Sequence, residues 1–200
     1  MSGDPVDVVV AALRAGEPVI LPTDTVYGLC AAAEGPEPTA RLYALKGRDP
    51  AQPSALIAAD LDMLLACIPE LAGRSAAIAA ALLPGPYTLI LPNPARRYPW
   101  LTGTTPEAIG VRVPRLCEAC ASVLAQAGPV AATSANPPGG PDPARLDDVD
   151  PDLRSRVAAA LDGGELPGTP STVIDFAGPE PRVVREGAAS SAEAIGRALA

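Results

Sequence analysis

The chain has 200 residues, of which 48% are hydrophobic, so it fits one domain with a buried core and does not resemble a disordered chain. Its formal net charge of −8 argues against a broad basic surface for nucleic acid, although local basic patches are compatible with it. The absence of histidine excludes a Ser-His-Asp triad, a Cys-His dyad and every histidine-based metal site.

Helix-type and strand-type patterns are mixed along the chain, with Pro, Gly and polar turns between them. Helices are predicted over 5–15, 38–46 (with Thr39 as a cap), 61–65, 75–83, 116–126, 190–200 and, within 145–162, the stretch DLRSRVAAALDGG. Strands are predicted over 18–21, 54–58, 87–91, 108–113, 130–132, 171–175 and 182–185, whereas 27–32 is either a strand or the close of a loop. The mixture predicts a single α/β domain over 1–200 with a twisted mixed sheet flanked by helices.

The chain has four cysteines, an even number that would permit disulfide bonds. The chain is neither small nor rich in cysteine, so it does not have the composition of a disulfide-stabilised protein. Cys117 and Cys120 have the CxxC spacing of zinc and redox sites. A partly buried pair on an alanine-rich helix is the simpler interpretation, since no second pair accompanies them. No apolar run reaches about 18 residues and no signal peptide is recognised, so we expect a cytoplasmic protein without a membrane span.

Several predicted strands end in polar residues, and a cationic Lys46-Gly47-Arg48 stretch ends a predicted helix. In open α/β sheets, ligands bind where strands end, so converging strand ends would place hydroxyls, an amide and cations around one pocket. Such a set binds phosphates and a carboxylate without a nucleophile, which suits phosphoryl or nucleotidyl transfer. The contributing residues would be Thr23, Thr25, Lys46, Arg48, Arg112, Ser134, Asn136, Ser171 and Arg185.

Each of these residues also has a simpler interpretation. Thr and Ser after a strand are common turn residues, and the cations at positions 46 and 48 could face solvent at a helix end. Arg112 points to the face opposite Val111 and Val113, and that face is either solvent or a cleft. Neither a Walker A pattern nor GxGxxG is present. The residues alone therefore predict an α/β enzyme with an anionic ligand.

The motifs PTDTVYGL, KGR, GVRVP, TSAN, STVID and VVREG, in this order, resemble the YrdC/TsaC family of L-threonylcarbamoyladenylate synthases. The resemblance covers about 8–188 and implies a single-domain form whose sheet encloses a positively charged concave cleft. It implies a reaction of L-threonine, bicarbonate and ATP, with Mg²⁺, that yields threonylcarbamoyl-AMP and pyrophosphate. A separate transferase complex would move the threonylcarbamoyl group to adenosine 37 of tRNA, with at most weak tRNA contact by this chain.

The resemblance also implies roles for individual residues. Lys46 and Arg48 would be catalytic and hold phosphate and carboxylate groups, and no residue is expected to be a metal ligand. The threonine-binding residues would be Thr25, Arg112, Ala132 and Ser171. The ATP-binding residues would be Arg48, Gln52, Ser134, Asn136, Asp142 and Arg185.

The chain departs from the family pattern at several places, including Asp49 where members have a proline directly after Arg48 and the loop PPGGPDP after Asn136. Members usually have Asn-Pro-Leu where this chain has Gln52-Pro53-Ser54, and many have a histidine where this chain has Ile57. Three alternatives therefore stay open beside the synthase: a divergent paralogue that binds nucleotide or RNA without full activity, an RNA-binding module, and a carbamoyl-transfer domain of the hydrogenase-maturation type. The oligomeric state is not specified by the sequence.

Overall fold

A nine-stranded sheet crosses the protein in the computed structural model, which describes residues 3–200. The strands are β1 (Val19–Pro22), β2 (Tyr27–Ala32), β3 (Ala55–Ile57), β4 (Tyr87–Pro92), β5 (Ala108–Arg112), β6 (Val130–Ser134), β7 (Ala159–Ala160), β8 (Thr172–Asp175) and β9 (Arg182–Arg185). The helices are α1 (Pro5–Arg14), α2 (Pro36–Lys46), α3 (Leu61–Cys67), α4 (Arg74–Leu82), α5 (Glu118–Ala127), α6 (Pro151–Ser155) and α7 (Ser191–Leu199), with a short 3₁₀ turn at Leu146–Asp148.

The strand order is β7-β1-β2-β6-β3-β5-β4-β8-β9. The β7/β1, β3/β5 and β4/β8 pairs are parallel, and the other neighbours are antiparallel. The predicted α/β domain with a mixed sheet is therefore confirmed, and the segment left open at 27–32 is a strand. The predicted boundaries 1–200 include positions 1–2, which lie outside the described residues.

The two faces of the sheet are covered unequally. One face packs Leu29, Leu56 and Leu89 against apolar residues of α2, α3, α4 and α7. On the other face, α1 and α5 cover the end formed by β1, β2, part of β6 and the last residue of β3, where Val19, Ile57 and Val130 are buried. Within residues 3–200, no helix packs on the part of this face over β5, β4, β8 and the start of β3, and the candidate site lies there.

Side-chain caps fix where several helices begin. Asp60 accepts from the Met63 backbone N–H at 2.7 Å and starts α3, and Ser190 caps α7 in the same way. The predicted cap at Thr39 is wrong, because Gly35 occupies the N-cap position of α2. The chain enters α2 two residues earlier than predicted, through Pro36, whose fixed φ suits the first helical turn. Thr39 then lies inside the helix, where its hydroxyl is buried without a partner.

The long helix predicted within 145–162 is also wrong. Only α6 forms there, and the following alanines continue as β7, which pairs in parallel with Val19 and Ile20. The backbone N–H groups of Ala158 and Leu161 donate to Pro18 and Ile20 carbonyls, both at 2.9 Å. Alanine has the highest helix propensity of any residue, but propensity differences are below about 1 kcal/mol per residue for ordinary residues, and the hydrogen bonds offered by the free edge of buried β1 outweigh them. Within residues 3–200, no helix combines the length and the apolar character that crossing a bilayer requires.

Candidate active site

A cavity of about 560 Å³ lies over the uncovered part of the sheet. Its floor consists of small residues on neighbouring strands: Ala55 pairs with both Gly110 and Ala132, and Gly28 pairs with Ser134. Because side chains alternate between the two faces of a strand, these residues share one face. Glycine and alanine fill little space there, so the sheet itself forms a low floor on which a ligand can lie.

Three arginines line this cavity, namely Arg48, Arg112 and Arg185, and no Asp or Glu is among its described lining residues. The chain as a whole has a net charge of −8, so the local charge opposes that of the molecule. Guanidinium groups bind carboxylates and phosphates through several parallel hydrogen bonds. The cavity is therefore suited to an anionic ligand.

A second cavity of about 480 Å³ adjoins the first and shares Arg48, Thr133 and Ser134 with it. Lys46 and Asn136 line only this smaller cavity. Arg48 can therefore contact ligands on both sides of the junction. Its position follows from the end of α2, where Gly47 adopts a left-handed conformation (φ 66°) and turns the chain.

Lys46 is the single lysine of the chain and is 7% exposed. Its Nζ donates to the Ser134 carbonyl and to Asn136 Oδ1, both at 2.6 Å, and to the Asn136 carbonyl. Burial and the neighbouring Arg48 lower the pKa of Lys46 to about 8, and Asp142 acts in the opposite direction. All three donors of the ammonium are used, so Lys46 holds the Ser134–Asn136 turn in shape.

Asn136 completes this turn. Its Oδ1 also accepts from Ser134 Oγ at 2.7 Å, and its Nδ2 donates to the Gly140 carbonyl at 2.6 Å. A ligand phosphate that bonds to Lys46 must replace one of these oxygen acceptors. The turn thus presents hydroxyl and amide groups at a fixed place in the smaller cavity.

Arg112 lies 7% exposed on β5, with its side chain in the cleft and not in solvent, which answers the question left open by the sequence. Its Nη2 donates to Asp24 Oδ1 at 2.5 Å and to Thr25 Oγ1 at 2.6 Å. Burial lowers the pKa of Arg112, and the paired Asp24 carboxylate opposes that effect.

The hydroxyl of Thr25 is fully used by its neighbours. Thr23 Oγ1 donates its one proton to the Val26 carbonyl at 2.7 Å, so in its 3.0 Å contact with Thr25 it must accept. Thr25 therefore donates to Thr23 and accepts from Arg112. It is fully buried and lines neither cavity, so its hydroxyl supports Arg112.

The two remaining arginines are held by backbone carbonyls. Arg48 Nη2 donates to the Pro53 carbonyl at 2.6 Å. Arg185 on the edge strand β9 donates through Nη2 to the Ser171 carbonyl at 2.8 Å, and Ser171 Oγ lies 2.8 Å from Thr88 Oγ1. These contacts fix the guanidinium groups while leaving part of each free for a ligand.

Among the described residues, four buried side-chain N or O atoms lack a hydrogen-bond partner, and three belong to residues that line the larger cavity. They are Arg48 Nε, Arg112 Nε and Ser54 Oγ. Buried polar atoms without partners are uncommon in folded proteins. Their concentration at one cavity is typical of a binding site and not of a packed core.

The structure brings together most of the predicted site residues. Those lining the larger cavity are Thr23, Arg48, Arg112, Ala132, Ser134, Ser171 and Arg185. Those lining the smaller cavity are Lys46, Arg48, Gln52, Ser134 and Asn136. Asp142 lines neither and acts on Lys46 through its charge.

Sequence reasoning did not select several polar residues that the structure places in or against the site, including Thr105 and Thr133 in the cavity lining. Ser54 and Thr88 line the larger cavity, and Asp24 pairs with Arg112. The position of Asp24 within the Pro-Thr-Asp-Thr turn could have indicated a role in the site. Ser54 and Thr88 look like ordinary strand residues in the sequence. The CxxC pair lies outside both cavities: all four cysteines are free, and the Cys120 thiol donates to the Pro22 carbonyl at 3.4 Å.

The fold and the two cavities define an α/β domain with an arginine-lined cleft over one face of its mixed sheet. The chain belongs to the Sua5/YciO/YrdC family, because the family's sequence profile, described as "Telomere recombination", matches residues 11–187. A Bacillus subtilis (strain 168) protein named threonylcarbamoyl-AMP synthase is 36% identical over an alignment of 183 residues, which covers 88% of this chain and 51% of that protein. A Chromohalobacter salexigens protein of the same name is 38% identical over 175 residues, covering 84% of this chain and 90% of that protein.

The fold is shared with a solved relative. Sua5 of Pyrococcus abyssi, whose crystal structure is described as complexed with L-threonine, superposes with a TM-score of 0.85 and 31% identity, over 98% of this chain and 59% of that one. This chain spans about half the length of the Bacillus relative and 59% of the solved Sua5 chain. The family and the fold predicted from the motifs are confirmed.

Proposed function

We propose that this chain is a threonylcarbamoyl-AMP synthase, which joins L-threonine, bicarbonate and ATP and releases pyrophosphate and water. The observation that carries the proposal is the pair of adjoining cavities in which Arg48, Arg112 and Arg185 meet the turn held by Lys46. The names of the relatives support it, and so does the threonine complex of the solved Sua5.

The proposed chemistry needs cations and donors more than it needs a protein nucleophile. The threonine amine forms a C–N bond with bicarbonate, and water leaves to give a carbamate. A carbamate oxygen then bonds to the α-phosphorus of ATP, while the bond from that phosphorus to pyrophosphate breaks. In this second step the carbamate, the ATP phosphates and the leaving pyrophosphate all carry negative charge, so positioning and charge stabilisation supply most of the catalysis. A site without histidine is compatible with this scheme.

The larger cavity is the proposed place of threonine. Arg112 would bind the threonine carboxylate, with Ser171 and the backbone of Ala132 beside the amino acid. Thr25 would act on this end of the site through its bond to Arg112 and not through direct contact of its hydroxyl. Arg48 lies at the junction of the cavities, so it is the proposed clamp on the reacting α-phosphate.

The smaller cavity is the proposed place of the nucleotide phosphates. Lys46 would shape the turn that carries Ser134 and Asn136, and Gln52 lies in the same wall. Arg185 would reach the nucleotide from the edge strand. Asp142 is assigned no direct contact, because it lines neither cavity.

Mg²⁺ enters this proposal only as the counter-ion of ATP. Within residues 3–200, no three Cys, Asp or Glu side chains lie close enough together to hold a metal ion. Hard cations such as Mg²⁺ prefer several oxygen ligands and are commonly held by substrate phosphates with one or two carboxylates. The proposal therefore assigns Mg²⁺ to the ATP phosphates and routes no step of the reaction through a metal ligand of the protein.

The first test measures pyrophosphate release from the purified protein with ATP, Mg²⁺ and bicarbonate, with and without L-threonine. We expect release that depends on threonine and on bicarbonate, and L-serine serves as the matched amino acid that lacks the methyl group. A folded protein that binds ATP but releases no pyrophosphate with threonine would refute the synthase and favour the divergent-paralogue alternative.

The proposal places the reaction in the cytoplasm, where a separate transferase complex would move the product to adenosine 37 of tRNA. Because the chain carries a net charge of −8, we expect no saturable binding of tRNA alone at physiological salt. A titration with unmodified tRNA measures this. Saturable binding there would support the RNA-binding alternative instead.

A further inference from the structure

Asp24 joins two parts of the chain at the edge of the larger cavity. It lies in the turn between β1 and β2, and its Oδ1 accepts from Arg112 Nη2 at 2.5 Å. Its Oδ2 accepts from the Arg115 backbone N–H at 3.0 Å, beyond the end of β5. The side chains of Asp24 and Arg112 are only 11% and 8% exposed, so solvent screens this ion pair little.

The hydrogen bonds of Arg112 are unevenly distributed over its guanidinium. The two protons of Nη2 are both used, one by Asp24 and one by Thr25. Nε is buried without a partner, and Nη1 makes no hydrogen bond to any residue in 3–200. The group is thus held by one terminal nitrogen, and the N–H donors of Nη1, which is not among the buried unpaired atoms, are available to a ligand.

Asp24 is the carboxylate that fixes this arrangement. In the described part of the chain it is the one ion-pair partner of Arg112, and no Asp or Glu lines the larger cavity. Without it, Nη2 would lose its charged acceptor, and the guanidinium could rotate to satisfy Nη2 elsewhere. A displacement of about 1 Å in a group that positions a substrate is enough to lower reaction rates about 10²-fold.

We propose that Asp24 is a positioning residue for the amino-acid substrate, which orients Arg112 so that the unused donors of its guanidinium meet the substrate carboxylate. This inference rests on the proposed function. It assigns Asp24 no contact with substrate. It also explains why an acidic residue is present beside a site that binds anions: the residue occupies the side of Arg112 that the ligand does not use.

The test compares Asp24→Asn, which keeps the shape but removes the charge, with Asp24→Glu, which keeps the charge on a longer arm. We expect Asp24→Asn to raise the KM for L-threonine about tenfold or more, the loss typical of a hydrogen bond to a charged group, with KM for ATP unchanged within about twofold. Asp24→Glu should recover part of the loss. Asp147→Asn breaks an exposed Asp–Arg pair of 2.6 Å and is the matched control, expected to leave every constant unchanged.

A double-mutant cycle with Arg112→Ala separates positioning from a general structural effect. If Asp24 acts through Arg112, Asp24→Asn changes the KM for threonine by less than about twofold in the Arg112→Ala background, because the coupling of contacting residues is lost with either partner. Additive effects of the two changes would overturn the inference. A lower KM in Asp24→Asn would also overturn it, since Asp24 would then compete with the substrate for Arg112.

Failure of this inference can be distinguished from failure of the proposed function. A wild-type protein that neither binds L-threonine by calorimetry nor releases pyrophosphate overturns both. A wild-type protein that does both, with an Asp24→Asn variant of unchanged KM, overturns the role of Asp24 alone. If Asp24→Asn does not fold, the Asp24→Glu variant and its own cycle with Arg112→Ala carry the same comparison.

Discussion

Replacing Lys46 by methionine should destabilise the protein by about 3 kcal/mol. The change removes the ammonium, keeps most of the volume and leaves three oxygen acceptors of Ser134 and Asn136 without their donor. Hydrogen bonds to a charged group contribute roughly 1.5–3 kcal/mol each, so three amount to about 6 kcal/mol. The lowering of the Lys46 pKa to about 8, caused by burial and by the neighbouring Arg48, corresponds to a cost of about 3 kcal/mol for the charged form, which methionine does not have.

The measurement is urea unfolding at pH 7, followed by the fluorescence of Trp100, the single tryptophan of the chain. Trp100 reports on the fold because its indole N–H donates to the Ala33 carbonyl at 2.9 Å. Methionine and lysine are both unbranched and of similar length, so the apolar stem contributes little to the difference. Lys46→Arg keeps the charge and is the matched variant, expected to lose less stability than Lys46→Met.

A loss of unfolding free energy below about 0.5 kcal/mol in Lys46→Met would refute this reasoning, because changes of that size are typical of substitutions on the protein surface. The turn would then keep its shape without the ammonium, and Lys46 would be free to serve as a direct phosphate ligand. A loss of stability near 3 kcal/mol, together with unchanged threonine binding, would show that removing the ammonium disturbs the smaller cavity and not the larger one.

Three further predictions concern the site and its support. Arg48→Ala should lower kcat/KM for threonine-dependent pyrophosphate release, with a loss of about 3 kcal/mol of transition-state stabilisation. The control Arg41→Ala removes a half-exposed ion pair with Glu17 and should leave kcat/KM unchanged. Full activity of the folded Arg48→Ala variant would refute the role of Arg48 as a clamp. Gly187→Ala should lower the melting temperature, because the added Cβ would lie 2.2 Å from the Pro170 carbonyl oxygen, whereas Gly196→Ala in α7 meets no atom within 4 Å and should stabilise by about 0.5–1 kcal/mol. The single lysine Nζ resonance of isotope-labelled protein should titrate near pH 8, and a midpoint near 10.5 would contradict the assigned pKa. Between these values Lys46 binds more protons in the unfolded chain and by itself makes stability rise with pH, whereas burial raises the pKa of the Cys30, Cys67 and Cys120 thiols, which act in the opposite direction. The stability of the wild type relative to Lys46→Met should therefore rise with pH in this window, and a constant difference would contradict the assigned pKa.

The sequence by itself determined the fold class and the family. Buried strands such as β1 and β4 are short apolar runs bounded by proline, and that pattern needs no tertiary information. The ordered motifs were sufficient for the family, and they placed Arg48, Arg112, Ser134 and Asn136 among the candidates before any geometry was available. Spacing alone could not decide whether Arg112 faces solvent or a cleft, because alternation along a strand gives only the opposite face from Val111.

Only the tertiary structure decided which contacts these residues make. The stretch after α6 became β7 because the free edge of β1 offered hydrogen bonds, which local helix propensity does not register. Sequence spacing could not show that Lys46 holds a turn or that the hydroxyl of Thr25 supports Arg112. Their partners lie about 90 residues away in sequence and meet them only in the folded sheet. Asp24 gained its role in the same way, since its pairing with Arg112 exists only after the first hairpin and the central strands have packed together. Chain order supplies the chemical groups of the site, but the strand order of the sheet decides which of them meet.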